Sequence, residues 1–211
     1  MSPTPRTTRR TLLAAVIALP LAALTRAAFA QSAAPTSRRL RGRIESIGPD
    51  KLVLRERSGE VMDLVLPANL IVTEVFPVAF SDIQANSFIG AGAMPQPDGT
   101  QRAIAVLVFP ETMRGTGEGH RPFDFLPQST MTNATVAGVV GSPDGRRLRV
   151  TYPGGEQVIA VPQDAPVFSL KPGTRELLVQ GSQVTLTAQL VEGRPTATRI
   201  SAGRNGFAPP Y

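Results

Sequence analysis

The chain has 211 residues, 42% of them hydrophobic, with a formal net charge of +6, one histidine and neither cysteine nor tryptophan. The missing cysteine excludes disulfides, a thiol nucleophile and a lipid anchor on cysteine, so stability has to come from a packed core. The length suits one or two small domains.

The first thirty residues read as an export signal. A basic start with Arg6, Arg9 and Arg10 is followed by an apolar run from Leu12 to Leu24 and by Ala28-Phe29-Ala30 before Gln31, the order a signal peptidase requires. A membrane anchor is the competing reading, but Pro20 interrupts a run of about 13 residues where a span needs about 20. Thr8-Arg9-Arg10-Thr11-Leu12-Leu13 resembles a twin-arginine signal, which implies export in the folded state. The expectation is a leader over 1–30, cleavage near Ala30-Gln31, a periplasmic location, a flexible start over 31–39 and no transmembrane span in the mature chain.

Removing the leader changes the charge argument. Four of the 22 basic residues (Arg6, Arg9, Arg10 and Arg26) and no acidic one precede Gln31, which leaves 18 basic against 16 acidic side chains and a net charge of +2. The remaining excess is local: Arg38, Arg39, Arg41, Arg43, Lys51, Arg55 and Arg57 face Glu45, Asp50 and Glu56. Such a run reads first as solvated strand faces and a basic end, and second as a phosphate-facing patch.

From Leu40 onward apolar and polar residues alternate in short runs (LRGRIESI, KLVLRERS, VMDLVLP, LIVTEVFP, FIGAGAMP, RAIAVLVF), broken by Gly and Pro clusters. Period two between turn residues predicts half-buried antiparallel strands. The run at Ala103–Phe109 is apolar on both faces, which suits a strand buried on both sides at the place where two units touch. A second series begins at TVAGVVGS and continues through RRLRVTYP, EQVIAVP, PVFSLKPG, SQVTLTAQL and TATRISA.

The two series superimpose. Leu52 matches Leu148 and Leu54 matches Val150 at an offset of 96, Asn86-Ser87 matches Gly181-Ser182 at 95, and Asp98-Gly99 matches Glu192-Gly193 at 94. Asn and Gly are the residues that best tolerate positive φ, so both copies should turn sharply at Asn86 and Gly181. Ser81-Asp82-Ile83 suggests one helical turn just before the first of these.

The fold expected is all-β: two tandem small antiparallel barrels of the oligonucleotide/oligosaccharide-binding type, about six strands each, over 40–110 and 135–203. A Gly-rich segment over 111–134 joins them, and 204–211 forms a C-terminal tail. A continuous sandwich shared between the copies is the alternative. Met113-Arg114-Gly115-Thr116-Gly117-Glu118-Gly119-His120 together with Ser129-Thr130-Met131-Thr132-Asn133-Ala134-Thr135-Val136 resembles a block of one two-domain subset of a small-barrel family of unknown function found in exported bacterial proteins. The resemblance covers essentially the whole mature chain and implies the barrel fold and export, with no activity attached.

Catalysis has little to work with. Ser129 or Thr130 with His120 and Asp124 is the one triad the composition permits, and no nucleophile-elbow pattern frames either hydroxyl, so the reading is non-enzymatic. Met113, His120 and Met131 could serve copper(I), or Glu118, His120 and Asp124 a harder ion. One histidine is thin for a metal site, and the expectation is no cofactor. Nucleic acid is not expected either, because stacking platforms are missing.

The central segment spends two phenylalanines, two methionines and a leucine in 24 residues, more than a free tether would. It is therefore expected to dock across the barrel junction and to gather Arg114, Glu118, His120, Arg121 and Asp124 there as a binding surface. The function expected is a non-catalytic periplasmic binding or accessory protein that recognises a partner protein or envelope component, with a small-ligand or metal binder using His120 as the alternative.

Overall fold

The computed structural model describes residues 37–142 and 145–211. The expected leader over 1–30 and most of the segment over 31–39 lie outside them. The described residues form thirteen strands: β1 Ser37–Ile47, β2 Lys51–Glu56, β3 Val61–Val65, β4 Ile71–Pro77, β5 Phe88–Pro95, β6 Gln101–Val108, β7 Gly119–Pro122, β8 Thr130–Ser142, β9 Gly145–Tyr152, β10 Gly155–Val161, β11 Val167–Pro172, β12 Gln183–Val191 and β13 Arg194–Gly203. Single 3-10 turns occur at Phe80–Asp82, Glu111–Met113 and Arg175–Leu177. The fold is all-β, as the alternation predicts.

The strands run in the order β10-β9-β8-β5-β6-β11-β4-β13-β12-β1-β2-β3, and short parallel pairings of β10 with β6 and β13 with β3 bend the two ends back on the sheet. Two five-membered rings of paired strands result. One is β1-β2-β3-β13-β12, closed where Thr196 meets Val65; the other is β8-β9-β10-β6-β5, closed where Ile159 and Ala160 meet Gln101 and Arg102.

This allocation differs from the sequence boundaries 40–110 and 135–203. Each ring takes three strands from one copy and two from the other. The exchange is reciprocal: the amide of Ile44 donates to the Ser182 carbonyl (2.9 Å), and the amide of Val136, its equivalent, donates to the Ser87 carbonyl (2.8 Å). The cause lies in β4 and β11. Both run extended instead of folding back, and they pair antiparallel with Val75 opposite Leu170. That pair sits on a pseudo-two-fold axis, since Val78 donates to Val167 and Gly173 donates to Val72, each at 3.0 Å. All the described residues fall in one compact unit.

Packing follows the exchange. The first ring encloses Leu40, Ile44, Leu52, Leu54 and Leu64 from one copy against Leu178, Val184, Leu186 and Ile200 from the other. The second encloses Ile89 and Val106 against Val136, Leu148, Val150 and Ile159. The superposition of the copies holds at the turns, where Asn86 has φ 69° and Gly181 φ 89°, and Asp82 caps its 3-10 turn by accepting the Ala79 amide at 2.9 Å. Strand β6 is buried on both faces along much of its length and adjoins β11, the strand that leads across to the first ring.

Gly42 is needed for a different reason. A Cβ there would run into the backbone carbonyl of Arg55, just before the register shift between Ile44 and Ser46 that curls β1 into its ring.

Candidate functional site

Period two sends Leu40, Gly42 and Ile44 into the first ring and turns Arg39, Arg41 and Arg43 to the opposite face. On that face Arg39 lies opposite Thr187, which lies opposite Arg199; Arg41 lies opposite Thr185, which lies opposite Ser201. Through β4 and β11 the face continues onto β6, β5 and β8, where the corresponding rows are Met131–Gly92–Ala105 and Asn133–Gly90–Leu107. The rings thus share one surface, polar and cationic on one side and small or apolar on the other.

A third apolar cluster lies on this surface. Val75, Ala105, Leu107 and Phe168 are buried beneath Phe109, Leu170, Phe207 and Tyr211. The tail brings Tyr211 down onto the glycine floor: its hydroxyl donates to the Gly90 carbonyl (3.1 Å) and its own carbonyl accepts from the Thr185 hydroxyl (3.1 Å). Phe123, Phe125 and Phe168 meet the Tyr211 ring edge-on at 5.3, 6.1 and 5.5 Å, a favoured aromatic geometry. A Cβ on Gly92 would come within 3.0 Å of Tyr211 and 3.3 Å of Phe123. Burial pushes the Tyr211 hydroxyl well above the ordinary phenol range.

The central segment docks here. Strand β7 pairs with β8, and Ser129 closes the following loop, its buried hydroxyl donating to the Leu126 carbonyl (2.7 Å) and accepting from the Leu126 amide (3.0 Å). Asp124 takes a two-pronged hydrogen bond from Arg41 (2.9 and 3.3 Å). That bond, ahead of burial acting the other way, holds the Asp124 carboxyl below the usual range. The same guanidinium lies 5.8 and 5.6 Å from the Phe123 and Phe125 ring centres.

The residues expected to cluster at the junction are largely dispersed. Arg114 turns back on the Glu111 carboxylate and the Asn86 carbonyl (2.8 Å). Glu118 is exposed. His120 Nδ1 meets the Thr132 hydroxyl at 2.8 Å and its ring stacks on Tyr152 at 6.3 Å, at the end of the second ring. Asp124 serves Arg41, and Arg121 alone of the five lines a cavity on the shared face. Strand alternation separates His120 from Arg121 in β7, whereas Arg114, Glu118 and Asp124 lie in the turns and loop on either side of that strand.

The metal candidates are separated by the same rule. His120 is paired with Thr132, whereas Met131 is the adjacent residue of β8 and faces the other way. Met113 sits in a separate 3-10 turn. Among the described residues no group of three His, Cys, Asp or Glu side chains is placed to hold a metal ion. The triad candidates Ser129, His120 and Asp124 are each engaged with different partners.

Two hollows flank Tyr211. One, of about 320 Å³, is lined by Arg39, Arg121, Asn133, Phe109, Phe123 and Tyr211 among others. The other, of about 170 Å³, is lined by Arg39, Arg199, Thr187, Leu170 and Val75 on the other side of the same ring. Among the described residues no acidic side chain lines either.

Arg199, Asn133 and Tyr211 are the site residues that sequence reasoning missed, and Arg39 was noted only within a basic run read first as solvated strand faces. Alternation around Leu40 sets Arg39 apart from Arg38 on the shared face; Tyr211 and Asn133 depend on long-range packing. No family model matches the chain, and no curated protein or solved structure matches it.

Proposed function

We propose that this is a non-catalytic binding or accessory protein of the periplasm, whose recognition surface is the arginine-lined face shared by the two rings. Its partner is a protein or envelope component that presents negative charge. The observation that carries the reading is the pair of hollows beside Tyr211, which hold Arg39, Arg121 and Arg199 and, among the described residues, no acidic side chain. Cations lining a concave, partly apolar surface favour an anionic group that can leave water there.

His120 has no part in this reading, because Thr132 and Tyr152 occupy it. A nucleic-acid partner is disfavoured because the aromatic rings of this face are packed against one another, whereas a single-strand binder keeps them free for stacking.

The test is recovery of envelope components on the immobilised exported protein, with Arg39→Glu and Arg199→Glu in parallel and folding checked by circular dichroism. A component bound in stoichiometric amount by the wild type and lost from both variants supports the reading. Equal recovery on the charge-reversed proteins refutes it.

A further inference from the structure

The two rings differ at one strand edge. In the second ring the first residues of β8 run past the hairpin of β9 and β10, and β7 pairs with their outer edge. Arg121 lies opposite Met131, and beyond it the Phe123 amide donates to the Ser129 carbonyl at 2.8 Å. Counting back from the equivalent pair Ile44 and Val136, Leu40 corresponds to Thr132, Arg39 to Met131 and Arg38 to Thr130. In the first ring the same edge is open. The Arg41 carbonyl still accepts from the Arg57 amide at 3.0 Å, so Arg39, two residues earlier, turns its own amide and carbonyl to that side. Among the described residues no strand pairs with β1 there.

The space beside the edge differs as well. In the second ring His120 lies opposite Thr132 and closes a polar mouth, with Nδ1 2.8 Å from the Thr132 hydroxyl and the Thr130 hydroxyl donating to Gln101 at 2.9 Å. Register places Leu40, Met62 and Pro195 where the second ring has Thr132, Gln157 and Gln101. With Ala188 and Leu190 they line an apolar mouth of about 350 Å³. Leu190 is 64% exposed, and Val61 and Val191 nearby are 46% exposed. The first ring thus leaves uncovered, and lines with apolar side chains, the place that a strand of this same chain covers in the second.

We infer that the open edge of β1 receives an extended segment of a partner protein, added antiparallel beside Ser37–Leu40 as β7 is added beside β8. Backbone pairing supplies the attachment and the mouth supplies the selection. The register of β7 sets the pattern of the segment: an apolar residue opposite Leu40 enters the mouth, and the next residue, opposite Arg39, is acidic. A second copy of this chain is a poor occupant, because antiparallel pairing of two such edges would set Arg38 and Arg39 against their own counterparts, and like charges across a strand pair repel. The mouth lies on the other side of β1 from Tyr211, so the inference does not depend on the binding-face reading above.

The experiment is a titration of the full exported chain, labelled with nitrogen-15 and followed by NMR, with the peptide acetyl-Ser-Leu-Glu-Thr-Val-Ser-amide. The comparator exchanges Leu and Glu, which keeps the composition and sends the apolar side chain to the wrong face. The expected result is a dissociation constant of about 1 mM or tighter, shifts at the Arg39 and Leu40 amides, slowed hydrogen exchange at Arg39, and binding at least tenfold weaker for the comparator. Leu190→Asp, at a largely exposed position that leaves the ring intact, should weaken the first peptide at least tenfold. Equal binding of the two peptides, undiminished binding to Leu190→Asp, or no shift at Arg39 up to about 10 mM peptide overturns the inference. Concentration-dependent dimers without peptide, protecting the Arg39 amide in sedimentation and exchange measurements made together, overturn it in favour of a second copy.

Discussion

Cutting the chain between its two copies, after Pro110, gives fragments 37–110 and 111–211, and strand exchange predicts that neither forms its native ring alone. In the first ring, Leu177, Leu178, Val184, Leu186 and Ile200 come from the second fragment and are at most 4% exposed. Fully burying a side chain of this kind is worth about 1.5–3 kcal/mol, so their loss removes roughly 8–15 kcal/mol. That equals the whole stability of an ordinary domain, about 5–15 kcal/mol. The second ring loses Ile89, Val106 and Ile83 by the same cut. Each fragment alone should therefore be unfolded, or self-associate by reciprocal exchange in a concentration-dependent way. Mixed together they should form a 1:1 complex with the β circular dichroism and the cooperative melt of the intact chain. Sedimentation velocity over a hundredfold concentration range, combined with thermal melts, reads both outcomes. A fragment that is monomeric at micromolar concentration and melts cooperatively would refute the argument, because it would show that the strands can close on their own copy.

Three further outcomes follow from particular contacts. Glu74, 5% exposed, accepts from Arg204 (3.1 Å) and Lys171 (3.3 Å), and chiefly the Arg204 hydrogen bond holds its carboxyl below the usual range. A depressed folded value means that this stabilisation is present above the unfolded carboxylate pKa of about 4.3 and is lost as pH falls through the folded one; the wild-type Tm should drop more steeply below that pH than the Tm of Glu74→Gln. Gly92→Ala should displace Tyr211 and Phe123, costing about 1–3 kcal/mol as overpacking does, with the change visible in tyrosine fluorescence and in urea midpoints. His120→Ala should cost about 1 kcal/mol for the lost Thr132 hydrogen bond and leave recovery of any shared-face partner unchanged.

Much of the architecture could be read from alternation. Leu52 with Leu148 and Leu54 with Val150 are paired correctly as equivalents, and all four are fully buried. Asn86 and Gly181 turn as their chemistry requires. What local pattern cannot supply is the partner of each strand. An alternating strand such as β12 presents the same face to β1 of the other copy as it would to β8 of its own. The choice is made by β4 and β11, whose extended course has no marker in composition. The site was less legible for a related reason. The central segment docks, as its phenylalanines suggest, yet its charges were read as one cluster when they are carried by separate pieces, Arg114 at the end of a 3-10 turn, Arg121 in β7 and Asp124 in the loop after it. Tyr211 was read only as the end of a C-terminal tail because its partners, Gly90, Thr185 and Phe123, are each more than twenty residues away.

The pseudo-two-fold axis also explains why the shared face can have a single functional side. Equivalent rows across the axis are Arg39–Thr187–Arg199 and Met131–Gly92–Ala105, and likewise Arg41–Thr185–Ser201 and Asn133–Gly90–Leu107. Identical copies would present either two sets of cations, repelling across a narrow groove, or two glycine floors with no charge. With the copies unlike, the floor side accepts the flat rings of Tyr211 and Phe123, while the other side supplies Arg41 to clamp the loop through Asp124 and leaves Arg39 and Arg199 at the hollows. Strand exchange makes this division durable: each ring contains strands of both copies, so the two sides of the face cannot separate without opening both cores. A surface whose cations are positioned by two interlocked cores is preorganised, and preorganisation is what allows a small concave site to bind without spending its interactions on ordering itself.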